Sequence, residues 1–221
     1  SCGRIWLRDS STVLLKERAV DAVVVKDERT AARFGPPVHW MPEIYKVFGA
    51  ENDMLSPADE QQWAGPVREF VARAGAANVA LFFGTGAWYK GYDLFLRLAD
   101  LDETVFALHA GAPERFEANK PMAWDTGGIR DRLRREGRLF ETNAFVANGA
   151  LMRLLFGSIE RFVSTHRLTL SSSTVLQALD AGKPVLTPDG GLVGHRTRHN
   201  GLGMTYRYFD DRDLAEKWRE F

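Results

Sequence analysis

The chain has 221 residues, of which 45% are hydrophobic, 11% aromatic and 26% charged; this is the composition of a globular protein and excludes a disordered one. Its 29 basic and 29 acidic residues cancel, so the strongly basic footprint of a nucleic-acid binder is absent. No apolar run approaches the roughly 20 residues of a membrane span, and the single cysteine, Cys2, excludes an internal disulfide and fits a reducing cytoplasm.

The chain begins Ser-Cys-Gly-Arg, without Met or a signal-peptide pattern, and is expected to be a piece of a longer protein. Ala22–Val25 is a short β-branched run suited to a strand buried on both faces. A short helix is expected over 27–34, stopped by Gly35-Pro36-Pro37, then an extended stretch over 38–44. Gly49, Pro57, Gly65 and Pro66 mark the following stretch as a linker with one short helix over 67–73.

A second series of strands and helices starts near residue 78. Strands are expected over 79–83, 104–108, 138–142, 160–165, 184–187 and 203–208. Helices are expected over 92–101, 128–136, 148–155, 172–181 and 213–221, the first with Leu94, Phe95, Leu98 and Leu101 at the helical period. Residues 188–201 read as a Gly-rich loop. Alternating β and α units predict an α/β fold, a Rossmann-like doubly wound parallel sheet preceded by a partial second α/β domain. The expected division is 1–48, the end of one α/β domain; 49–76, a linker; and 77–221, the Rossmann-like domain.

Ligands of such sheets bind beyond the carboxyl ends of the strands. The first such loop, Gly84-Thr85-Gly86-Ala87-Trp88-Tyr89-Lys90-Gly91, has two glycines of a dinucleotide fingerprint and lacks the third. Lys90, at the mouth of the sheet, could neutralise a phosphate; the plain alternative is a solvated lysine in a turn. Ser172, Ser173 and Thr174 open a helix, where free N–H groups and the helix dipole favour an anion. Gln177 shares a face with Ser173 and Thr174, so a polar stripe could run from phosphate to ribose. A capped helix with a wet face explains the same residues. Gly182-Lys183-Pro184 is no phosphate loop, since Pro stands where Ser or Thr is needed. His195 and His199 have a helical metal spacing but lie in the Gly-rich stretch with no acidic or Cys partner nearby; no metal is expected. The Arg130, Arg132, Arg134, Arg135, Arg138 run reads as a solvated helix face.

Four segments, in order, carry a family likeness: Phe83–Asp93 (FGTGAWYKGYD), Leu108–Pro113 (LHAGAP), Ala178–Gly191 (ALDAGKPVLTPDGG) and Asn200-Gly201. From residue 77 onward the chain resembles the C-terminal, nucleotide-sugar-binding domain of GT-B retaining glycosyltransferases of the large group 1 family. Residues 12–48 resemble the end of that family's N-terminal acceptor domain. The resemblance implies transfer of a sugar from a nucleotide-diphosphate sugar to an acceptor hydroxyl of a sugar or glycolipid. It implies no cofactor, and a protein that is cytoplasmic or held at the membrane periphery.

It also implies site residues. Lys90 and Thr169 fall at catalytic positions. Gly84, Thr85, Gly86, Thr142, Asn143, Thr165, His166, Ser172, Ser173, Thr174 and Gln177 fall at positions that bind the nucleotide sugar. Several depart from the family pattern: Thr85 replaces an Arg, Thr169 and Gln177 replace two glutamates, and Thr165-His166 replaces Pro-Ser. Gln177 can still bond a ribose hydroxyl as donor or acceptor. Thr85 and Thr169 cannot supply the missing charges. The same departures favour a second reading, a catalytically weakened homologue that binds a nucleotide sugar or a partner. A third, a nucleotide-sugar epimerase, has no specific signal.

Overall fold

The computed structural model describes residues 23–25, 32–33, 38–40, 54–113, 122–168 and 172–221. The chain divides into two compact units, Ser1–Tyr45 and Lys46–Phe221. In the first, β1 (Val23–Val25) pairs in parallel with β2 (Val38–Trp40), Val24 opposite His39. Residues 32–33 are helical; the rest of the helix expected over 27–34 lies outside the described residues.

The described residues of the second unit begin with a helical run where a linker with one short helix is expected. Ser56 caps its first turn, Pro57–Asp59, by accepting from the Asp59 N–H at 3.0 Å. A π-helical turn, Glu60–Ala64, then leads into α1 (Gly65–Ala74). Proline is tolerated at a first helical turn because its missing N–H would have no partner there. The π-turn lets Pro66 occupy such a position in mid-run. The run stays in place because Ala64, Val67, Phe70 and Ala74 are buried in the core.

Six parallel strands follow: β3 (Val79–Phe83), β4 (Phe106–Ala110), β5 (Leu139–Glu141), β6 (Phe162–Val163), β7 (Val185–Pro188) and β8 (Gly203–Tyr206). They form two ladders, ordered β3-β4-β5 and β6-β7-β8. β3 also lies beside β6, so the strands run β5-β4-β3-β6-β7-β8 across the unit. Among the described residues no ladder joins β3 to β6. This is the doubly wound order, with its topological switch point between the first and fourth strands.

Both faces are covered, and β3 shows why its sequence is continuously apolar. Val79 and Leu81 enter the core beneath α1, α4 (Gly149–Gly157) and α5 (Ser173–Asp180). Ala80 and Phe82 enter the opposite core beneath α2 (Tyr92–Leu101), α3 (Thr126–Arg135) and α7 (Asp211–Glu220). Each fully buried large side chain there contributes roughly 1.5–3 kcal/mol.

Two further expectations are corrected. β4 begins two residues later than expected, because the Asp102 carboxylate accepts from the N–H (3.0 Å) and hydroxyl (2.7 Å) of Thr104 and holds it in a turn. The Gly-rich stretch holds a helix, α6 (Gly191–His199). Gly194 allows it to pack on the end of β7, where a Cβ would overlap backbone atoms of Pro188 and Asp189. His195 and His199 therefore stack on one helix face, ring centroids 5.5 Å apart. No third metal ligand joins them among the described residues. No helix there is long and apolar enough to cross a membrane.

Candidate functional site at the switch point

The loops after β3 and β6 meet where the strand order reverses. β3 is followed by Gly84, whose N–H donates to Ala110 O at 2.8 Å and whose φ of +106° suits glycine. The Lys90 side chain returns across this residue, so that a Cβ on Gly84 would overlap the Lys90 ammonium. Gly111 gives the next loop an equally close approach, against the Gly84 carbonyl. Gly86 N–H donates to Ala112 O at 3.3 Å, and Thr85 is half-buried between these glycines.

His109, fully buried on β4, supports this turn from beneath. Its Nε2 lies 2.9 Å from Gly84 O, and a carbonyl only accepts, so Nε2 carries the hydrogen. Nδ1 faces Glu141 Oε1 at 3.5 Å, longer than a normal hydrogen bond. Burial pushes the Glu141 carboxyl up, but contacts with His109, Tyr92 and Arg130 outweigh it and hold the group at about 2. Glu141 is thus an ionised anchor under the loop, bonded by Tyr92 Oη at 2.8 Å.

Lys90 ends a 3-10 turn, Trp88–Lys90, and Gly91 follows in the left-handed region (φ +66°) to begin α2. Partial burial pulls the Lys90 ammonium below its ordinary value. The β6 loop is fastened onto this turn. Thr165 Oγ1 donates to Lys90 O (3.0 Å), and the Arg167 N–H donates to Tyr89 O (2.9 Å). The Arg167 guanidinium donates to Trp88 O (2.6 Å) and, in a fork, to both oxygens of Asp93 (2.8 and 2.6 Å). It lies 4.2 Å from the Phe209 ring centroid and 5.0 Å from that of Trp88. Asp93 is fully buried and also accepts from Ala123 N–H. Tyr208 and Tyr206 donate to the carbonyls of Arg167 and Ser164, both at 2.9 Å. Neither Arg167 nor Asp93 stood out in the sequence as a site residue. Asp93 lay inside a matched motif, but its partner is 74 positions away.

His166 projects from this fastened loop. Its Nδ1 shares a hydrogen bond with Ser164 Oγ at 2.9 Å. Burial first, and then the nearby Lys90 charge, lower it to about 4, so the ring is neutral at neutral pH.

The other expected residues are placed as follows. Ser172 caps α5, accepting from Val175 N–H at 3.4 Å and sharing a hydrogen bond with Thr174 Oγ1; both are buried, while Ser173 is exposed. Gln177 Oε1 is buried without a hydrogen-bond partner among the described residues. Thr142 is buried, its Oγ1 accepting from Gly111 N–H at 2.9 Å; it links the loops after β4 and β5. Asn143 is exposed with φ +50°. Thr169 lies outside the described residues.

An open cleft of about 580 Å³ lies near the starts of β4 and β5, lined by Asp100, Glu103, Arg132, Glu136 and Arg138. Its cations are already paired, Arg132 with Asp100 and Arg138 with Glu136. The chemistry-bearing loops gather at the switch point instead.

No protein-family model matches the chain, and no curated protein matches it. Solved structures do. HepE of Anabaena, solved with UDP, is similar over 91% of this chain and 54% of its own, at 16% identity and a TM-score of 0.66. A variant of TarM from S. aureus, solved with fondaparinux, alpha-GlcNAc-glycerol and UDP, is similar over 96% and 39%, at 12% identity and a TM-score of 0.61. WaaG, a glycosyltransferase involved in lipopolysaccharide biosynthesis, is similar over 89% and 52%, at 17% identity and a TM-score of 0.57. The chain thus spans about half the length of HepE and WaaG and less of TarM. The fold is the GT-B glycosyltransferase fold, and its six-stranded unit is Rossmann-like.

Proposed function

We propose that this chain is the donor-binding part of a glycosyltransferase that moves a sugar from a nucleotide-diphosphate sugar to an acceptor hydroxyl, with retention at the anomeric carbon. The observation that carries this is the Lys90 ammonium laid over Gly84 at the switch point, where a diphosphate would meet it. The UDP and UDP-glucose found with HepE support a nucleotide sugar as ligand. In the transfer, a bond forms between the acceptor oxygen and the anomeric carbon while the bond from that carbon to the diphosphate breaks. The acceptor proton leaves with the departing phosphate oxygen. Catalysis of this kind rests on fixed positive charge where the leaving group becomes more negative. Lys90 and the N–H groups opening α5 would supply it.

The test is release of nucleoside diphosphate by the full-length protein, from a panel of nucleotide sugars and acceptors. The second reading, a weakened homologue that binds without turning over, is favoured by Thr85 in place of an arginine. It predicts donor binding with no release under any acceptor.

Two substitutions probe the site. Lys90→Ala should weaken nucleoside diphosphate by about 1–3 kcal/mol, the scale of a hydrogen bond to a charged group. Unchanged affinity by calorimetry would place the ligand elsewhere. Gln177→Leu should weaken nucleoside diphosphate and leave inorganic pyrophosphate unaffected, because only the former brings a ribose to the unpartnered Oε1. Equal loss of both ligands would mean that α5 itself had moved.

A further inference from the structure

The charge available to a diphosphate at the switch point is unbalanced. The diphosphate of a nucleotide sugar carries two negative charges, one on each phosphate. Lys90 offers one positive charge at Gly84. The neighbouring cation, Arg167, is held by its fork to buried Asp93 and lies against the Trp88 and Phe209 rings. It cannot turn toward a ligand without stranding that carboxylate.

His166 is placed to make up the difference. Its loop is tied to the Lys90 turn by Thr165 and by the backbone of Arg167, and the Lys90 charge reaches the ring. Its Nδ1 partner is a hydroxyl, Ser164 Oγ, which can donate to a bare nitrogen or, after turning, accept from a protonated one. The ring can therefore gain a proton without losing its hydrogen bond. Among the described residues, Lys90 is the charge that acts on His166, and it acts by repulsion. The Asp93 carboxylate is bound to Arg167, and the hydroxyls of Tyr206 and Tyr208 are bound to carbonyls.

We propose that His166 is neutral in the free protein and becomes a second cation when the donor diphosphate lies beside Lys90, so that donor binding takes up one proton. This rests on the donor-site reading above. An anion between the two groups cancels the repulsion from Lys90 and favours the imidazolium directly. The burial and repulsion that hold the free ring at about 4 are then opposed by the ligand. The sign follows from linkage. A group whose pKa rises on binding tightens the complex as pH falls through the bound value toward the free one. Donor affinity should therefore rise by up to about tenfold per unit of falling pH in the window between the bound value and the free value of about 4. Well above that window it should be independent of pH.

The test is isothermal calorimetry of the full chain with UDP-glucose, UDP-N-acetylglucosamine, GDP-mannose and ADP-glucose. Each is esterified at both ends of the diphosphate, so none has a phosphate group that titrates near neutral pH. Titration in two buffers of different ionisation heat counts protons directly. The expected result is uptake approaching one proton within the window and close to none at about pH 8. In His166→Asn, which keeps a polar partner for Ser164, the uptake should vanish and the affinity should flatten with pH. Binding without uptake overturns the proposal and leaves the donor-site reading standing; so does uptake that persists in His166→Asn. Failure of all four sugars to bind at either pH overturns both.

Discussion

Arg167→Met is expected to destabilise the protein by roughly 3–5 kcal/mol, because it leaves the Asp93 carboxylate buried without its counter-charge. Asp93 has no exposure to water, and among the described residues its other bond comes from the N–H of Ala123. The substitution also removes the guanidinium bond that ties the β6 loop to Trp88 O. Donor binding should therefore fall together with stability. Urea unfolding measures the first and calorimetry the second. The double variant Asp93→Leu with Arg167→Met should recover part of the stability, since an apolar pair removes the stranded charge. It should not recover binding in full, because the tie to Trp88 O stays lost while those from Thr165 and the Arg167 backbone remain. A loss below about 1 kcal/mol for the single variant would mean that water reaches Asp93.

Gly91→Ala is expected to cost roughly 2–5 kcal/mol. The left-handed backbone costs an L residue about 1–2 kcal/mol. A Cβ would also overlap the Thr165 carbonyl, and overpacking of this kind typically adds 1–3 kcal/mol. Thr165 cannot easily give way, since its hydroxyl is bonded to Lys90 O and Arg167, two residues on, is clamped. Gly182→Ala is the matched control: its φ is +70°, yet nothing lies within 4 Å of the added methyl. It should pay the backbone cost alone. Thermal melts that show equal losses in the two variants would remove the close approach from the account.

The sequence made the framework legible where local signals agreed. Val79–Phe83 is an apolar run closed by a glycine, and Tyr92–Leu101 has an apolar stripe at the helical period; both occupy their expected ranges. Reading failed where a breaker residue had a permitted place. Pro57 and Pro66 lie in first-turn positions, so they open helices rather than end them. Gly190, Gly191 and Gly194 concealed α6, because Gly194 is there to let a helix approach β7.

At the candidate site the same division holds. Lys90 stood out because glycines flank its loop at 84, 86 and 91. The fork from Arg167 to Asp93 and the support of Gly84 by His109 join residues far apart in the chain, and no local pattern announces them. His166 was visible only as a substitution in a motif. Its environment depends on burial and on a lysine from another strand's loop.

The seam between β3 and β6 has a mechanical consequence. Backbone hydrogen bonds knit each half of the sheet, but across the seam the described connections are side-chain packing, the bond from Arg161 to Ala77 O and the bonds between the two loops. A ligand that touched both loops would act as a rivet between halves that the backbone leaves unstitched. Its binding energy would then appear as slower amide hydrogen exchange along β3 and β6, in strands the ligand never contacts.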